Sequence, residues 1–246
     1  MILVLGGTAE ARSLAALLVA ADRPVVSSLA GRVARPRLPV GDVRVGGFGG
    51  VAGLERWLDE HAVDAVVDAT HPFARVISAH AVAACTARGV PLLRLERPGW
   101  SGLPDASGWT WAADVTAAAR AAAALGERPF LTIGRQGLDH AVGPLADAHA
   151  LVRVVDPPEI ALPPTWRVLQ DRGPYTVEGE RTLMTEHRAD VLVTKDSGGD
   201  LTRAKLAAAA ELAVPVVVVQ RPSAHRTGDV VHTVADAAAW LDRLPR

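Results

Sequence analysis

The chain has 246 residues, of which 49% are apolar and 22% charged, a balance typical of a folded globular protein rather than a disordered one. Its 26 basic and 27 acidic side chains give a formal net charge of −1, which excludes the basic surplus that sequence-independent nucleic-acid binding requires. No stretch reaches the ~20 apolar residues that span a membrane, and the first residues lack the basic start of a signal peptide.

Strand and helix patterns alternate through the first hundred residues. The predicted strands are 2–5, 24–29, 43–45, 65–68 and 91–95, and the predicted helices are 9–21, 54–61 and 77–88. Strands that are apolar along their whole length are typical of a parallel sheet covered on both faces. The pattern therefore predicts the doubly wound α/β class.

The alternation resumes after a loop at 99–108 that is rich in Gly, Pro and Ser. The predicted helices are 114–125, 178–187, 201–212 and 236–241, and the predicted strands are 129–133, 150–155, 167–170, 190–194 and 215–220. We predict two Rossmann-like lobes, each a parallel sheet flanked by helices, with domains at 1–120 and 121–246. Ligands of such sheets bind at the carboxyl ends of the strands, so we expect the active site in the cleft between the lobes.

The first strand ends in a glycine turn, Gly6-Gly7-Thr8-Ala9-Glu10-Ala11-Arg12, which opens the first predicted helix. Two glycines let the backbone approach a phosphate, and a helix N-terminus supplies unpaired N–H groups and the positive end of its dipole. The third glycine of the G-x-G-x-x-G fingerprint is absent, so simple chain reversal is the alternative interpretation.

The end of the second predicted strand carries Ser27, Ser28 and, shortly after, Arg32. NAD-binding proteins usually place a carboxylate here to bind the ribose 2′-OH. Hydroxyls and an arginine instead suit a 2′-phosphate, so a bound dinucleotide is predicted to be NADP(H). The alternative is a solvated loop.

Two further strand ends in the first half carry polar residues. Asp68 and Thr70 either cap the next helix or line the nicotinamide side of a cofactor, and His71 is a proton donor, a substrate contact or a structural histidine. Arg94 and Arg97 follow the fifth strand, where they bind carboxylates or form ion pairs with Glu96.

Three strand ends in the second half repeat this arrangement, at 134–136, 171–175 and 194–199. The last is a glycine-rich turn that holds Lys195 but lacks the residue order of a P-loop, so it favours an anionic substrate group over ATP. Lys195 and Lys205 are the only lysines among the 26 basic residues, and a compact ammonium is not interchangeable with a guanidinium.

The sequence offers no metal-binding pattern and no serine nucleophile. Its eight histidines are scattered, so no metal site is predicted, and the G-x-S-x-G motif is absent. The single cysteine, Cys85, lies in an apolar helical pattern and is predicted to be buried. It cannot form an internal disulfide, and we expect a cytoplasmic protein.

Six short motifs occur in order at 6–12, 68–74, 94–100, 134–136, 171–174 and 195–199. Through them the chain resembles the precorrin-6A reductase family of cobalamin biosynthesis over nearly its whole length. Tyr175 stands where we expect the family to favour Phe. The resemblance implies NADPH-dependent reduction of the precorrin-6A macrocycle to precorrin-6B, with hydride transfer to the C18–C19 double bond.

The residues and the resemblance together predict three groups of site residues. Those expected to bind NADP(H) in the first domain are Gly6, Gly7, Thr8, Glu10, Ala11, Arg12, Ser28, Arg32, Asp68, Thr70 and His71. Those expected to face substrate carboxylates are Arg94, Arg97, Arg135, Arg172, Lys195, Ser197 and Lys205. The candidate proton donors are Lys195, Asp196, His71 and Tyr175, and protonation without a side chain stays open.

Two other functions remain compatible with the sequence. The same reaction on the cobalt-containing substrate of the anaerobic pathway is one, because no protein ligand would distinguish the metal. A non-catalytic NADP-sensing regulator on the same fold is the other. The expected partner is the tetrapyrrole itself, without nucleic acid or membrane, and other enzymes of the pathway are candidate protein partners.

Overall fold

The computed structural model describes residues 1–31, 34–222 and 229–244. The strands are β1 (Ile2–Leu5), β2 (Val25–Leu29), β3 (Asp42–Val45), β4 (Ala65–Asp68), β5 (Leu92–Leu95), β6 (Thr110–Ala112), β7 (Pro129–Thr132), β8 (Leu151–Val154), β9 (Arg167–Gln170), β10 (Val191–Lys195), β11 (Val216–Val219) and β12 (Asp229–Val231). The helices are α1 (Ala9–Ala20), α2 (Gly50–Glu60), α3 (Arg75–Arg88), α4 (Val115–Leu125), α5 (Asp139–Val142), α6 (Val177–His187), α7 (Ala204–Glu211) and α8 (Val234–Asp242).

The strands form two six-stranded sheets in two compact units. The first unit is Met1–Pro98 with Ser223–Arg246, and the second is Gly99–Pro222. The strand orders are β12-β5-β4-β1-β2-β3 and β6-β11-β10-β7-β8-β9, and every pairing is parallel. Two parallel sheets flanked by helices confirm the predicted α/β class.

The first unit packs helices on both faces of its sheet. Ile2 and Val4 of β1 belong to a core cluster with residues of α1 and α8. Leu3 and Leu5 belong to a second cluster with residues of α2 and α3. Side chains of a strand alternate between its two faces, which is why a fully apolar β1 contributes to both layers.

Cys85 lies in the second of these clusters and is 2% exposed, so its predicted burial is confirmed. Burial, with a smaller contribution from the Asp68 charge, raises the pKa of the Cys85 thiol to about 12. The thiol is therefore protonated at neutral pH and does not act as a nucleophile.

The second unit is built in the same way around β7, β10 and β11. Phe130, Leu192 and Val218 pack with Met184 of α6 and Leu206 of α7. No helix in the described ranges is long and apolar enough to cross a membrane.

The strands β6 and β12 lie at sheet edges and pair with strands distant in the chain. Strand β6 follows β5 in the chain but pairs with β11, and β12 follows β11 but pairs with β5. The chain thus passes between the units twice. The sequence-based division at 120/121 differs from this arrangement, because it assigns 99–120 to the first domain and 223–246 to the second.

Helix starts are fixed locally by side-chain caps. Thr8, Asp114, Thr176 and Thr233 each accept a hydrogen bond from the backbone N–H three residues later. Such caps satisfy donors that have no partner inside the helix. The predicted starts of α1 and α4 accordingly lie within one residue of the observed ones.

Candidate active site

The carboxyl ends of all strands lie at one edge of each sheet, because every pairing is parallel. In the first unit this edge brings together the residues that follow β1, β2, β3, β4 and β5. In the second unit it brings together those that follow β7, β9, β10 and β11. The strand-end motifs of the sequence therefore form two clusters, one in each unit.

The turn after β1 has the open backbone that a phosphate needs. The Gly6 N–H donates to Ser28 O at 2.9 Å, which fixes the turn against β2. Gly7 has φ +115°, and a Cβ built on it would meet no atom within 4 Å. The turn therefore favours glycine for its conformation, and its surroundings leave room for a ligand.

Thr8 holds this turn to the rest of the unit. Its Oγ1 accepts from the Ala11 N–H at 3.1 Å and donates to Ala69 O at 2.8 Å. Its hydroxyl proton is thus used within the protein, and Thr8 shapes the turn after β1 through contacts inside the unit.

Glu10, in the first turn of α1, pairs with Arg97, which follows β5. Arg97 Nη1 lies 3.0 Å from Glu10 Oε2. The structure thus joins a residue predicted to bind cofactor to one predicted to bind substrate, and both lie in the first unit. Arg12 borders a small cavity together with Gly6, Gly7 and Ser27.

Ser28, at the end of β2, contacts a residue that the sequence analysis did not select. Arg44 of β3 donates from Nη1 to Ser28 Oγ at 2.8 Å. The sequence analysis missed Arg44 because it lies inside a short strand. The signal that could have identified it is its position near the end of that strand, two residues before Gly46-Gly47. The other predicted 2′-phosphate ligand, Arg32, lies outside the described residues.

Asp68 and Thr70, after β4, form a network with Arg94 of β5. Asp68 Oδ1 accepts from Thr70 N–H at 3.1 Å and from Thr70 Oγ1 at 2.7 Å. Arg94 Nη1 lies 2.8 Å from the same Asp68 oxygen, and Arg94 Nε lies 3.1 Å from Glu96 Oε2. The Arg94 charge is therefore compensated by two carboxylates inside the unit.

His71 follows this network and is partly buried. Its Nδ1 accepts from the Phe73 N–H at 3.3 Å, and the two rings lie 5.7 Å apart. Because Nδ1 acts as the acceptor, the proton of the neutral ring lies on Nε2.

In the second unit, Lys195 connects two strand ends. Its Nζ donates to Gln136 O at 3.0 Å, so the turn after β7 lies against the turn after β10. Burial lowers the pKa of the Lys195 ammonium. Ser197 follows closely and donates its N–H to Lys195 O. Arg135, beside Gln136, pairs with the exposed Glu159 at 3.3 Å.

Asp196 is 5% exposed and fixes two segments of the second unit. Its Oδ1 accepts from the Trp100 N–H at 2.9 Å. Its Oδ2 lies 3.4 Å from Arg221 Nε. Asp196 thus links the segment at Trp100 to the residues that follow β11.

Tyr175 and Arg172 lie in the segment after β9. The Tyr175 hydroxyl donates to Asp171 O at 3.2 Å, and burial raises the pKa of the Tyr175 phenol. The Arg172 N–H donates to Asp171 Oδ1 at 2.8 Å. Asp171 thus organises this segment through both its backbone and its side chain.

A cavity of about 280 Å³ lies beside Tyr175, and its walls include a buried ion pair. Arg153 and Glu180 are 5% and 1% exposed, and Arg153 Nη2 lies 2.7 Å from Glu180 Oε1. The guanidinium also lies 3.7 Å from the Tyr175 ring centroid. Arg153 Nη1 and Glu180 Oε2 have no hydrogen-bond partner among the described residues. The sequence analysis missed this pair, since its two members are 27 positions apart.

Lys205 lies on α7 and is 4% exposed. Its Nζ donates to Thr202 O at 2.6 Å and lies 5.1 Å from the Trp100 ring centroid. These contacts place its charge in the packing between α7 and Trp100. Over the residues that the structure describes, no group of three or more His, Cys, Asp or Glu side chains could hold a metal ion.

Comparison with known proteins gives a full-length match. The model of the family described as precorrin-6x reductase CbiJ/CobK matches residues 1–242. A precorrin-6A reductase of Rhodococcus erythropolis is 53% identical over 248 residues, covering 100% of this chain and 98% of that protein. One from Mycobacterium tuberculosis (strain ATCC 25618 / H37Rv) is 48% identical over 245 residues, covering 99% and 98%.

A solved structure, described as CobK precorrin-6A reductase, matches with a TM-score of 0.88 at 41% identity, covering 98% of this chain and 95% of that chain. The sequence resemblance is thereby confirmed. The chain belongs to the precorrin-6x reductase family, CbiJ/CobK.

Proposed function

We propose that this protein catalyses the NADPH-dependent reduction of precorrin-6A to precorrin-6B in cobalamin biosynthesis. The observation that carries the proposal is the family match over residues 1–242, together with relatives named precorrin-6A reductase that align end to end. The reaction adds a hydride at the C18–C19 double bond and a proton elsewhere in the same unit, which accounts for both hydrogen atoms gained.

The turn after β1 supports NADPH binding in the first unit. Gly7 combines a positive φ with open space, and the N-terminus of α1 supplies backbone N–H groups that favour a phosphate. Gly6, Gly7, Ala11 and Arg12 would hold the pyrophosphate, and Asp68, Thr70 and His71 would line the nicotinamide. When bound, NADPH supplies the hydride for the reduction.

The strand ends of the second unit support a polyanionic substrate. Arg135, Arg172, Lys195 and Ser197 follow parallel strands and are all only partly buried. Arginine forks and an ammonium suit the acetate and propionate groups of a tetrapyrrole. We give Arg94, Arg97 and Lys205 positioning roles instead, because Arg94 and Arg97 pair with buried or partly buried carboxylates and Lys205 is itself buried.

Lys195 is the best candidate for the proton donor. A lowered pKa makes its ammonium a stronger acid than an ordinary lysine. The Asp196 side chain contacts the Trp100 N–H and Arg221, and the Tyr175 hydroxyl donates to Asp171 O. His71 remains the second candidate.

Incubation with precorrin-6A and NADPH tests the proposal. We expect loss of NADPH absorbance and a product that carries two additional hydrogen atoms by mass spectrometry, with NADH a much poorer reductant. Turnover of only the cobalt-containing substrate would support the anaerobic reaction instead. Cofactor binding without turnover of either substrate would support an NADP-sensing regulator.

A further inference from the structure

Arg44 is held at the carboxyl end of β3 with a fixed orientation. It lies opposite Ser28 in the parallel pairing of β2 and β3. Its Nη1 donates to Ser28 Oγ at 2.8 Å and to Gly46 O at 3.0 Å, and its Nη2 donates to Gly47 O at 3.1 Å. The guanidinium carbon lies 3.7 Å from the Phe48 ring centroid. Stacking and three hydrogen bonds thus restrict a side chain that is otherwise flexible.

The charge of Arg44 has no carboxylate partner in the described part of the chain. Its hydrogen bonds to Ser28, Gly46 and Gly47 use three of the five guanidinium N–H groups. Two arginines near the same sheet edge differ in this respect, since Arg94 contacts Asp68 and Arg97 contacts Glu10. A partly buried cation without a counter-ion is costly, and an anionic ligand would compensate it.

Ser28 adds a second donor at the same point. Its Oγ accepts from Arg44 Nη1, so its own O–H proton points elsewhere and finds no acceptor among the described residues. Arg44 therefore orients a hydroxyl donor and offers its remaining N–H groups beside it. This combination matches the oxygens of a phosphate monoester.

We propose that Arg44 and Ser28 together bind the 2′-phosphate of NADPH and give the enzyme its preference for NADPH over NADH. The assignment rests on the proposed function, because it concerns the cofactor of that reaction. It is supported by the strand order: β2 and β3 lie on the side of β1 away from β4, and the ribose of a dinucleotide binds at the end of β2 in such sheets.

Cofactor titrations without substrate test this assignment. Dissociation constants for NADPH and NADH are measured by fluorescence for the wild type, Arg44→Met and Ser28→Ala. We expect Arg44→Met to weaken NADPH binding roughly 10- to 100-fold, the loss for one or two charge-assisted hydrogen bonds. NADH binding should be unchanged, and Ser28→Ala should show a smaller loss confined to NADPH.

Two further variants separate charge, geometry and folding. Arg44→Lys keeps the charge without the planar fork, so we expect an intermediate loss of NADPH affinity. Arg120→Met removes one positive charge from an exposed position on α4 in the second unit and should leave both constants unchanged. Thermal unfolding of each variant reports whether β3 remains folded, and retained NADH binding gives the same information at the site.

The outcomes are distinct. Equal loss of both cofactors by Arg44→Met would show that the side chain only fastens the turn after β3, and the assignment would be wrong. A wild-type preference for NADPH that Arg44→Met leaves intact would also overturn it, without affecting the proposed function. A wild-type protein that binds both cofactors equally, or neither, would contradict the NADPH dependence itself and the assignment with it.

Discussion

Arg94 Nη1 lies 2.8 Å from Asp68 Oδ1 and joins the end of β5 to the end of β4. The sequence predicts that Asp68 contacts the cofactor and that Arg94 contacts the substrate. In the structure they form one network with Thr70, in which the arginine also contacts Glu96. Arg94 is therefore better described as a residue that positions the segment after β4.

Replacing Arg94 by Gln should destabilise the protein and weaken cofactor binding. We expect the free energy of unfolding to fall by about 1.5–3 kcal/mol, the range for hydrogen bonds to charged groups. NADPH affinity should fall as well, because Asp68 and Thr70 lose their contacts with the Arg94 guanidinium. The substrate KM should stay close to the wild-type value. Urea unfolding, cofactor titration and steady-state kinetics measure the three effects.

The matched control is Arg135→Gln, which removes an arginine paired with the exposed Glu159. Exposed ion pairs contribute about 0–1 kcal/mol, so stability should change little. We expect this variant to raise the substrate KM instead. A raised KM without loss of stability in Arg94→Gln would place Arg94 among the substrate ligands.

Breaking the buried pair of Arg153 and Glu180 should strongly destabilise the protein. Glu180→Gln leaves a buried guanidinium without its counter-charge, which costs about 3–5 kcal/mol. The exposed pair of Arg181 and Glu211, 3.6 Å apart on α6 and α7, provides the comparison. Glu211→Gln should cost less than about 1 kcal/mol. Equal effects in chemical denaturation would contradict the structural importance of the buried pair.

Stability should fall in mild acid because of His187. Burial, and then the Arg128 charge, lower the pKa of His187 from its ordinary value of 6.5. Below pH 6.5 the unfolded chain therefore binds a proton at this position more readily than the folded protein, so the free energy of unfolding decreases as pH falls. His187→Gln should flatten the dependence of Tm on pH between about 5 and 7. His149→Gln, at an exposed position, should leave the slope unchanged.

Lys195 should determine the alkaline limit of activity. Its ammonium can donate a proton only below its pKa, which burial lowers, so kcat/KM should fall as pH rises through that value. Lys195→Met should reduce kcat by roughly 10²–10⁴-fold, the contribution of a general acid, and Lys195→Arg should move the alkaline limit upwards. NADPH affinity should be intact in both variants. Loss of cofactor binding would show that Lys195 belongs to a different site.

The central strands are predictable from sequence because their pattern is local. Predicted strands 2–5 and 65–68 coincide with the central strands β1 and β4. The edge strands β6 and β12 were missed, since each has only three residues and begins at an exposed Thr110 or Asp229. These segments become strands because they pair with β11 and β5, which are distant in the chain. A local sequence pattern does not reveal such pairing.

The local geometry of the candidate site could be predicted where it depends on a turn, but not where it depends on contacts between distant side chains. The glycine turn after β1 is visible in the sequence, because chain direction and residue type specify it. The pairing of Arg97 with Glu10 joins residues 87 positions apart, and it changes the interpretation of both. Arg44 lies in an ordinary-looking strand, and only its contact with Ser28 distinguishes it.

The pairing of β12 with β5 also affects how the amino-terminal sheet folds during translation. Leu93, Arg94 and Leu95 pair with residues 229–231, so a nascent chain that has emerged only as far as Pro98 exposes an uncovered sheet edge. Such edges recruit foreign strands. A fragment that ends at Pro98 would therefore be unsuitable for studying the first unit alone. The first sheet gains its sixth strand, β12, only after residues 99–222 have been translated.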